Sequence, residues 1–139
     1  MEIIARRCGG VFALYLFAAA LGVVLCILGI GSTAIEDAFL TCFIPGVLVI
    51  IISVVICIRY CRVPKEIIQY DGEKLILPQG RYAPSEIINV TYRCARSRGF
   101  SHSWGKLTVT LSDKEITYNY VADVEEVHNR LMKLKTEAQ

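Results

Sequence analysis

Two apolar runs without any Asp, Glu, Lys or Arg dominate the first half of this 139-residue chain, at about 11–30 and 38–58. Twenty residues of helix rise about 30 Å, which is close to the thickness of a bilayer's hydrocarbon core. Each run is therefore predicted to be a transmembrane helix. The short link 31–37 makes the two helices antiparallel neighbours, so residues 1–62 are predicted to form a transmembrane α-helical hairpin.

The first run is predicted to stay in the protein rather than to be removed as a signal peptide. Its apolar stretch is longer than the apolar region of a signal peptide, which has about 7–15 residues. No A-x-A cleavage site follows it. We therefore interpret 11–30 as an uncleaved helix.

Lys and Arg flank only the outer ends of the predicted hairpin. The link 31–37 carries acidic charge alone. The excess of Lys and Arg on cytoplasmic segments then places both termini in the cytoplasm and the link outside. The flanking cations are Arg6, Arg7, Arg59, Arg62 and Lys65.

Small residues recur at four-residue spacing in the first run and are matched in the second. In lipid, such residues let helix backbones approach closely. Folding the hairpin about its link places Gly22 opposite Gly46 and Cys26 opposite Cys42. The predicted helix-packing residues are thus Ala18, Gly22, Cys26, Cys42 and Gly46. A redox pair of Cys26 and Cys42 near the outer leaflet is the alternative interpretation.

After residue 63 the spacing of apolar residues changes from the three- to four-residue repeat of a helix to the two-residue alternation of a strand. Asp71-Gly72 between two apolar stretches predicts a hairpin turn, and alternating apolar residues at 88–94, 107–111 and 116–120 predict further antiparallel strands. The last segment is predicted to be a helix, because apolar residues repeat there at three- and four-residue spacing. Asp123 and Glu126 fit a capping box at its start.

This order of elements resembles the bacterial pleckstrin-homology-like (PH-like) domains of small membrane proteins with two transmembrane helices. The segments that carry the resemblance are 85–90 (SEIINV), 104–109 (WGKLTV) and 121–127 (VADVEEV). It implies an α+β chain: the transmembrane hairpin, then a small antiparallel β-sheet or roll at 63–139 capped by a C-terminal helix. It also implies a bacterial plasma membrane, a cytoplasmic PH-like domain, and binding rather than catalysis.

The most unusual stretch of the predicted domain is 93–106, which holds four cations, one histidine and two aromatic residues but no acid. We expect it to span the end of a long strand and the loop that follows. Three interpretations stay open: a solvated structural segment, a contact with anionic lipid, and a contact with a protein partner. The candidate contact residues are Arg93, Arg96, Arg98, Phe100, His102, Trp104 and Lys106.

No catalytic motif, phosphate-binding glycine loop or metal-ligand spacing occurs among these residues, so the chain is predicted to be neither an enzyme nor a cofactor- or metal-binding protein. A net charge of +2 does not favour nucleic acid as a partner. The predicted spans contain no Asp, Glu, Lys, Arg or His, and this favours anchoring over transport. The sequence thus predicts a membrane-anchored binding or scaffold module with a membrane or cytoplasmic protein partner. The alternatives are a sensor of anionic lipid and an accessory subunit of a membrane enzyme or transporter.

Overall fold

The computed structural model describes residues 1–31, 37 and 39–139, which form two compact units. One unit is Gly9–Arg62, and the other combines Met1–Cys8 with Val63–Gln139. The sequence analysis assigned all of 1–62 to the hairpin. The structure differs, because the N-terminal segment forms a β-strand that pairs with a strand beginning at Glu66.

The helical unit contains α1 (Gly9–Gly31) and α2 (Ile44–Cys61), with a π-helical turn at Phe39–Phe43 before α2. Gly9–Gly31 and Phe39–Cys61 are both long and apolar enough to cross a membrane. Only 11% of each segment is buried, whereas the core helix of a soluble protein is mostly buried. Most of the predicted link, 32–36, and residue 38 lie outside the described residues.

The β-unit has antiparallel strands and a C-terminal helix, as predicted for an α+β chain, but its strands form two sheets rather than the one sheet or roll expected. The four-stranded sheet has the order β1-β2-β3-β4 and the three-stranded sheet the order β5-β6-β7. The strands are β1 (Glu2–Arg6), β2 (Glu66–Tyr70), β3 (Leu75–Leu77), β4 (Gly80–Tyr82), β5 (Ile87–Ser97), β6 (Phe100–Leu111) and β7 (Glu115–Val121). A 3₁₀ turn, Pro84–Glu86, connects the two sheets.

The end of β1 lies between the two sheets. The Arg7 amide donates a hydrogen bond of 3.0 Å to the carbonyl of Lys65, just before β2. On the other side, Arg7 forms an antiparallel bridge with Val121, the last residue of β7. The N-terminal segment therefore joins β2 to β7.

The core of the β-unit follows from the alternation of apolar residues along its strands. Leu107, Val109 and Leu111 of β6 are at most 2% exposed. The C-terminal helix α3 (Val124–Glu137) covers them with an apolar stripe that includes Val127. Asp123 precedes α3 with φ 45° but forms no side-chain capping hydrogen bond, so the predicted capping box does not form.

Candidate functional site

The segment 93–106 is a β-hairpin rather than a strand end followed by a loop. β5 and β6 continue to Ser97 and Phe100 and leave only Arg98 and Gly99 as the turn. Both turn residues have positive φ, 43° and 89°. Positive φ at both residues is typical of a two-residue hairpin turn, whose twist matches that of the flanking strands. Such a turn allows β5 and β6 to stay paired up to Ser97 and Phe100.

A β-bulge distorts the hairpin near its tip. Cys94 pairs with Gly105 and Arg96 pairs with Ser101, so residues 102–104 stand opposite Ala95 alone. A bulge of this kind redirects side chains and increases the local twist. Here it carries His102 and Trp104, whose rings stack at 5.9 Å between centroids.

The register divides the candidate contact residues between the faces of the hairpin. Lys106 lies directly opposite Arg93, and Phe100, His102 and Trp104 alternate along β6 toward it. We call this set, Arg93, Phe100, His102, Trp104 and Lys106, the aromatic–basic face. Arg96 lies opposite Ser101, which belongs to the other face, and Arg98 lies in the turn. The structure therefore brings together five of the seven predicted residues and leaves Arg96 and Arg98 apart.

The aromatic–basic face is open to solvent. Phe100 is 75% exposed, and Arg93, His102 and Lys106 are also exposed. Within the described part of the chain, neither Arg93 nor Lys106 forms an ion pair. An exposed large aromatic side chain beside unpaired cations is a surface suited to recognition.

Tyr120 extends the aromatic–basic face onto β7 and was missed by the sequence analysis. Its ring lies 6.0 Å from that of Trp104. It has φ 60°, and the β6–β7 register shifts beside it, between Gly105 and Leu107. Its carbonyl accepts a hydrogen bond of 2.8 Å from the amide of Cys8, the residue before α1. Tyr120 contacts Trp104 where the β6–β7 register shifts, and the alternation of apolar residues gives no signal of this shift.

Gly105 allows the two strands to approach closely. A Cβ atom at this position would lie 2.1 Å from the Arg93 carbonyl oxygen and 2.8 Å from Cys94 Cα. A glycine inside a strand pattern is a signal of such an approach or of a bulge. Gly105 therefore fixes the hairpin geometry that places Trp104.

On the other face of the hairpin lies a cleft of about 480 Å³. Ser101, His102 and Ser103 line one wall, so His102 also reaches this cleft, and Asp123, Glu125 and Glu126 at the start of α3 line the other. No group of three His, Cys, Asp or Glu side chains in the described ranges is arranged to hold a metal ion.

A polar cluster lies between the β3–β4 turn and the β6–β7 turn. The Tyr118 hydroxyl donates a hydrogen bond of 2.5 Å to Gln79 Oε1, and burial raises the pKa of Tyr118 well above its usual value. Nearby, Lys114 Nζ lies 5.0 Å from the centroid of the Tyr82 ring. A hydrogen bond to Tyr82 raises the pKa of Lys114. These contacts join the two sheets.

Of the predicted helix-packing residues, Gly22, Cys26 and Gly46 lie where α1 and α2 meet, and Cys42 lies in the π-helical turn before α2. A Cβ on Gly22 would lie 2.9 Å from the Gly46 carbonyl oxygen, and a Cβ on Gly46 would lie 2.8 Å from Cys26 Sγ. Cys26 Sγ also lies 3.8 Å from the Phe43 carbonyl oxygen, whereas Cys42 Sγ lies 3.9 Å from Thr41 Oγ1. Both cysteines are free thiols, and Ala18 is half-buried.

Compared with known proteins, the chain matches no protein family model, no curated protein and no solved structure. Its function is therefore argued from its own residues.

Proposed function

We propose that this chain is an integral membrane protein of the bacterial plasma membrane that holds a non-catalytic PH-like binding domain at the cytoplasmic face. Two segments long and apolar enough to span a bilayer support the anchor. Lys and Arg at the outer ends of the hairpin, against only acidic charge in its link, support cytoplasmic termini.

The architecture of the β-unit supports the PH-like assignment. A four-stranded and a three-stranded antiparallel sheet pack around one core, and a C-terminal helix covers it. Such a domain offers strand edges and hairpins for recognition. The exposed rings and unpaired cations of the aromatic–basic face support binding as its activity.

One observation carries the proposal: β1 precedes α1, β2 follows α2, and the two strands pair. Arg6 lies opposite Glu66, so both ends of the hairpin leave the same end of the β1–β2 strand pair. A chain that leaves and re-enters a domain at adjacent strands must cross the membrane an even number of times. The N-terminus and the domain therefore share one side of the membrane.

Cysteine labelling in cells tests this topology. In a background with each native cysteine replaced by Ala, Ser32→Cys should react with a membrane-impermeant maleimide in intact spheroplasts. Glu2→Cys and Ala138→Cys should react only after lysis. Labelling of Glu2→Cys or Ala138→Cys in intact spheroplasts contradicts the proposed orientation.

The anchoring itself has a separate test. We expect the full chain to stay in the membrane fraction after alkaline carbonate washing, because two apolar helices hold it there. Mild detergent should release it together with its protein partner. Release of the chain by carbonate alone contradicts the anchor.

A further inference from the structure

We propose that the aromatic–basic face docks on anionic phospholipid headgroups of the membrane that α1 and α2 cross. This inference rests on the proposed membrane anchoring and adds the chemistry of the surface that the domain contacts. Its contact residues are Arg93, Phe100, His102, Trp104 and Lys106, with Tyr120 beside them.

Trp104 is connected to the start of α1 by a short series of contacts, which is the first argument. Its ring packs on Tyr120, and the Tyr120 carbonyl accepts a hydrogen bond of 2.8 Å from the Cys8 amide. The next residue, Gly9, begins α1, and the charge-free apolar run begins two residues later at Val11. One ring contact, one hydrogen bond and a few residues of chain thus connect Trp104 to the membrane span. Along the chain, the proposed bilayer segment therefore begins within a few residues of the backbone that bonds to Tyr120.

The chemistry of the face is the second argument. Trp and Tyr prefer the headgroup level of a bilayer, where an apolar ring and a polar atom are both accommodated. Phe100, 75% exposed at the hairpin tip, offers an apolar side chain to the same layer. Arg93 and Lys106 lie directly opposite each other and supply positive charge beside these rings. Each cation near an anionic surface shifts partition toward the bilayer about fivefold.

The distribution of acidic residues is the third argument. From Ile87 to Ser112 the chain contains no Asp or Glu, so neither strand of the hairpin contributes a negative charge to the face. Asp123, Glu125 and Glu126 border the cleft together with Ser101, Ser103 and one residue of the aromatic–basic face, His102. The acid-free strands therefore carry Arg93, Phe100, Trp104 and Lys106, whereas His102 borders the cleft with the acidic side chains.

Trp104 is the single tryptophan of the chain, so its fluorescence reports on this face alone. The experiment places the full-length protein in nanodiscs of phosphatidylcholine, or of equal parts phosphatidylcholine and phosphatidylglycerol. Both kinds of nanodisc carry a spin-labelled lipid that quenches tryptophan fluorescence at the depth of the headgroups. We expect stronger quenching of Trp104 in the nanodiscs with phosphatidylglycerol. The difference should disappear at about 1 M salt, where the screening length falls to about 3 Å.

Two double variants that remove the same charge distinguish an effect of this face from an effect of the net charge of the protein. Replacing both Arg93 and Lys106 with Ala should lower the ratio of docked to undocked domain about 25-fold and abolish the extra quenching. The control replaces Arg81 and Lys133, both exposed and outside the hairpin, with Ala. It removes the same charge and should keep the extra quenching.

The outcomes distinguish the two proposals. A chain that does not enter nanodiscs contradicts the membrane anchor and the lipid surface together. A chain that enters them but shows equal Trp104 quenching in both lipids contradicts the lipid surface alone and leaves the anchor standing; a face reserved for a protein partner gives this result. Equal loss of quenching in both double variants also contradicts the proposal, because net charge would then explain it.

Discussion

The amide of Cys8 donates a hydrogen bond of 2.8 Å to the carbonyl of Tyr120, although the two residues lie at opposite ends of the chain. This bond fixes the N-terminal segment to the last strand of the β-unit. Two residues earlier, the Arg6 carbonyl accepts a hydrogen bond of 2.8 Å from the Ala122 amide. The first residues of the chain are therefore part of the β-unit rather than a flank of the membrane hairpin.

The consequence is that the apolar hairpin is an insertion into a sheet. Adjacent antiparallel strands are usually joined by a tight turn of a few residues. Here residues 9–62 stand between β1 and β2. The domain cannot form its complete four-stranded sheet unless the chain segments on both sides of the hairpin meet.

We predict that Gly46→Ala destabilises the helical unit by about 1–3 kcal/mol, because the new methyl group is overpacked. Its Cβ would lie 2.8 Å from the Gly22 carbonyl oxygen and 3.1 Å from the Cys26 amide nitrogen, both backbone atoms. Thermal unfolding of the full chain in mild detergent measures the effect.

Gly10→Ala is the matched control for Gly46→Ala. A Cβ on Gly10 would meet nothing within 4 Å. Alanine is also a better helix former than glycine, so this variant should be neutral or slightly stabilised. Equal midpoints for the two variants would show that α1 and α2 do not pack through Gly46.

A second prediction concerns the turn of the β5–β6 hairpin. Arg98 has φ 43°, a conformation that costs most L-residues about 1–2 kcal/mol and that Asn tolerates better. Arg98→Asn should therefore stabilise the β-unit by about 1 kcal/mol, which raises its unfolding midpoint by about 5 °C. Arg96→Asn removes the same charge at a strand position and should give no gain. A lower midpoint for Arg98→Asn contradicts the turn geometry.

A third prediction concerns alkaline pH. Burial raises the pKa of Tyr118 above that of an unfolded tyrosine, about 10. The folded state therefore keeps a proton that the unfolded state loses. This stabilisation is complete below about pH 10 and is lost as the pH rises toward the folded pKa.

Tyr118→Phe measures this contribution. The variant loses the hydrogen bond to Gln79, so at neutral pH it should be less stable by about 1 kcal/mol. Above about pH 10 its unfolding midpoint should fall less steeply than that of the parent protein. Parallel midpoint curves for the two proteins over this range would contradict the buried, protonated state of Tyr118.

Much of the fold could be predicted because its signals are local. The charge-free runs predicted α1 and α2, and the apolar stripe of Val124, Val127 and Leu131 predicted α3. Alternating apolar residues predicted most of the strands after residue 63. Each of these signals lies within one element and needs no knowledge of its partner.

The parts that were missed depend on distant partners or on backbone conformation. Ile3, Ile4 and Ala5 are consecutive apolar residues without alternation, and their partner strand begins at Glu66. The hairpin turn uses Arg98-Gly99, whereas Asn-Gly or Asp-Gly is the usual signal. Tyr120 lies at a register shift in the pairing of β6 with β7, so it could not be assigned to the candidate site from the sequence.

Disulfide cross-linking tests most directly the claim that the membrane hairpin is inserted between two paired strands. Ile3 lies opposite Gln69 in the β1–β2 pair, and directly opposed residues are within the reach of a disulfide. In the full chain with its native cysteines replaced by Ala, Ile3→Cys and Gln69→Cys should cross-link on mild oxidation in membranes and separate on reduction.

The control pairs Ile3→Cys with Thr110→Cys, since both neighbours of Thr110, Asn89 and Glu115, belong to other strands. The account predicts an intramolecular cross-link for the pair of positions 3 and 69 and none for the pair 3 and 110. No cross-link between positions 3 and 69, or equal cross-linking of the two pairs, would contradict the insertion.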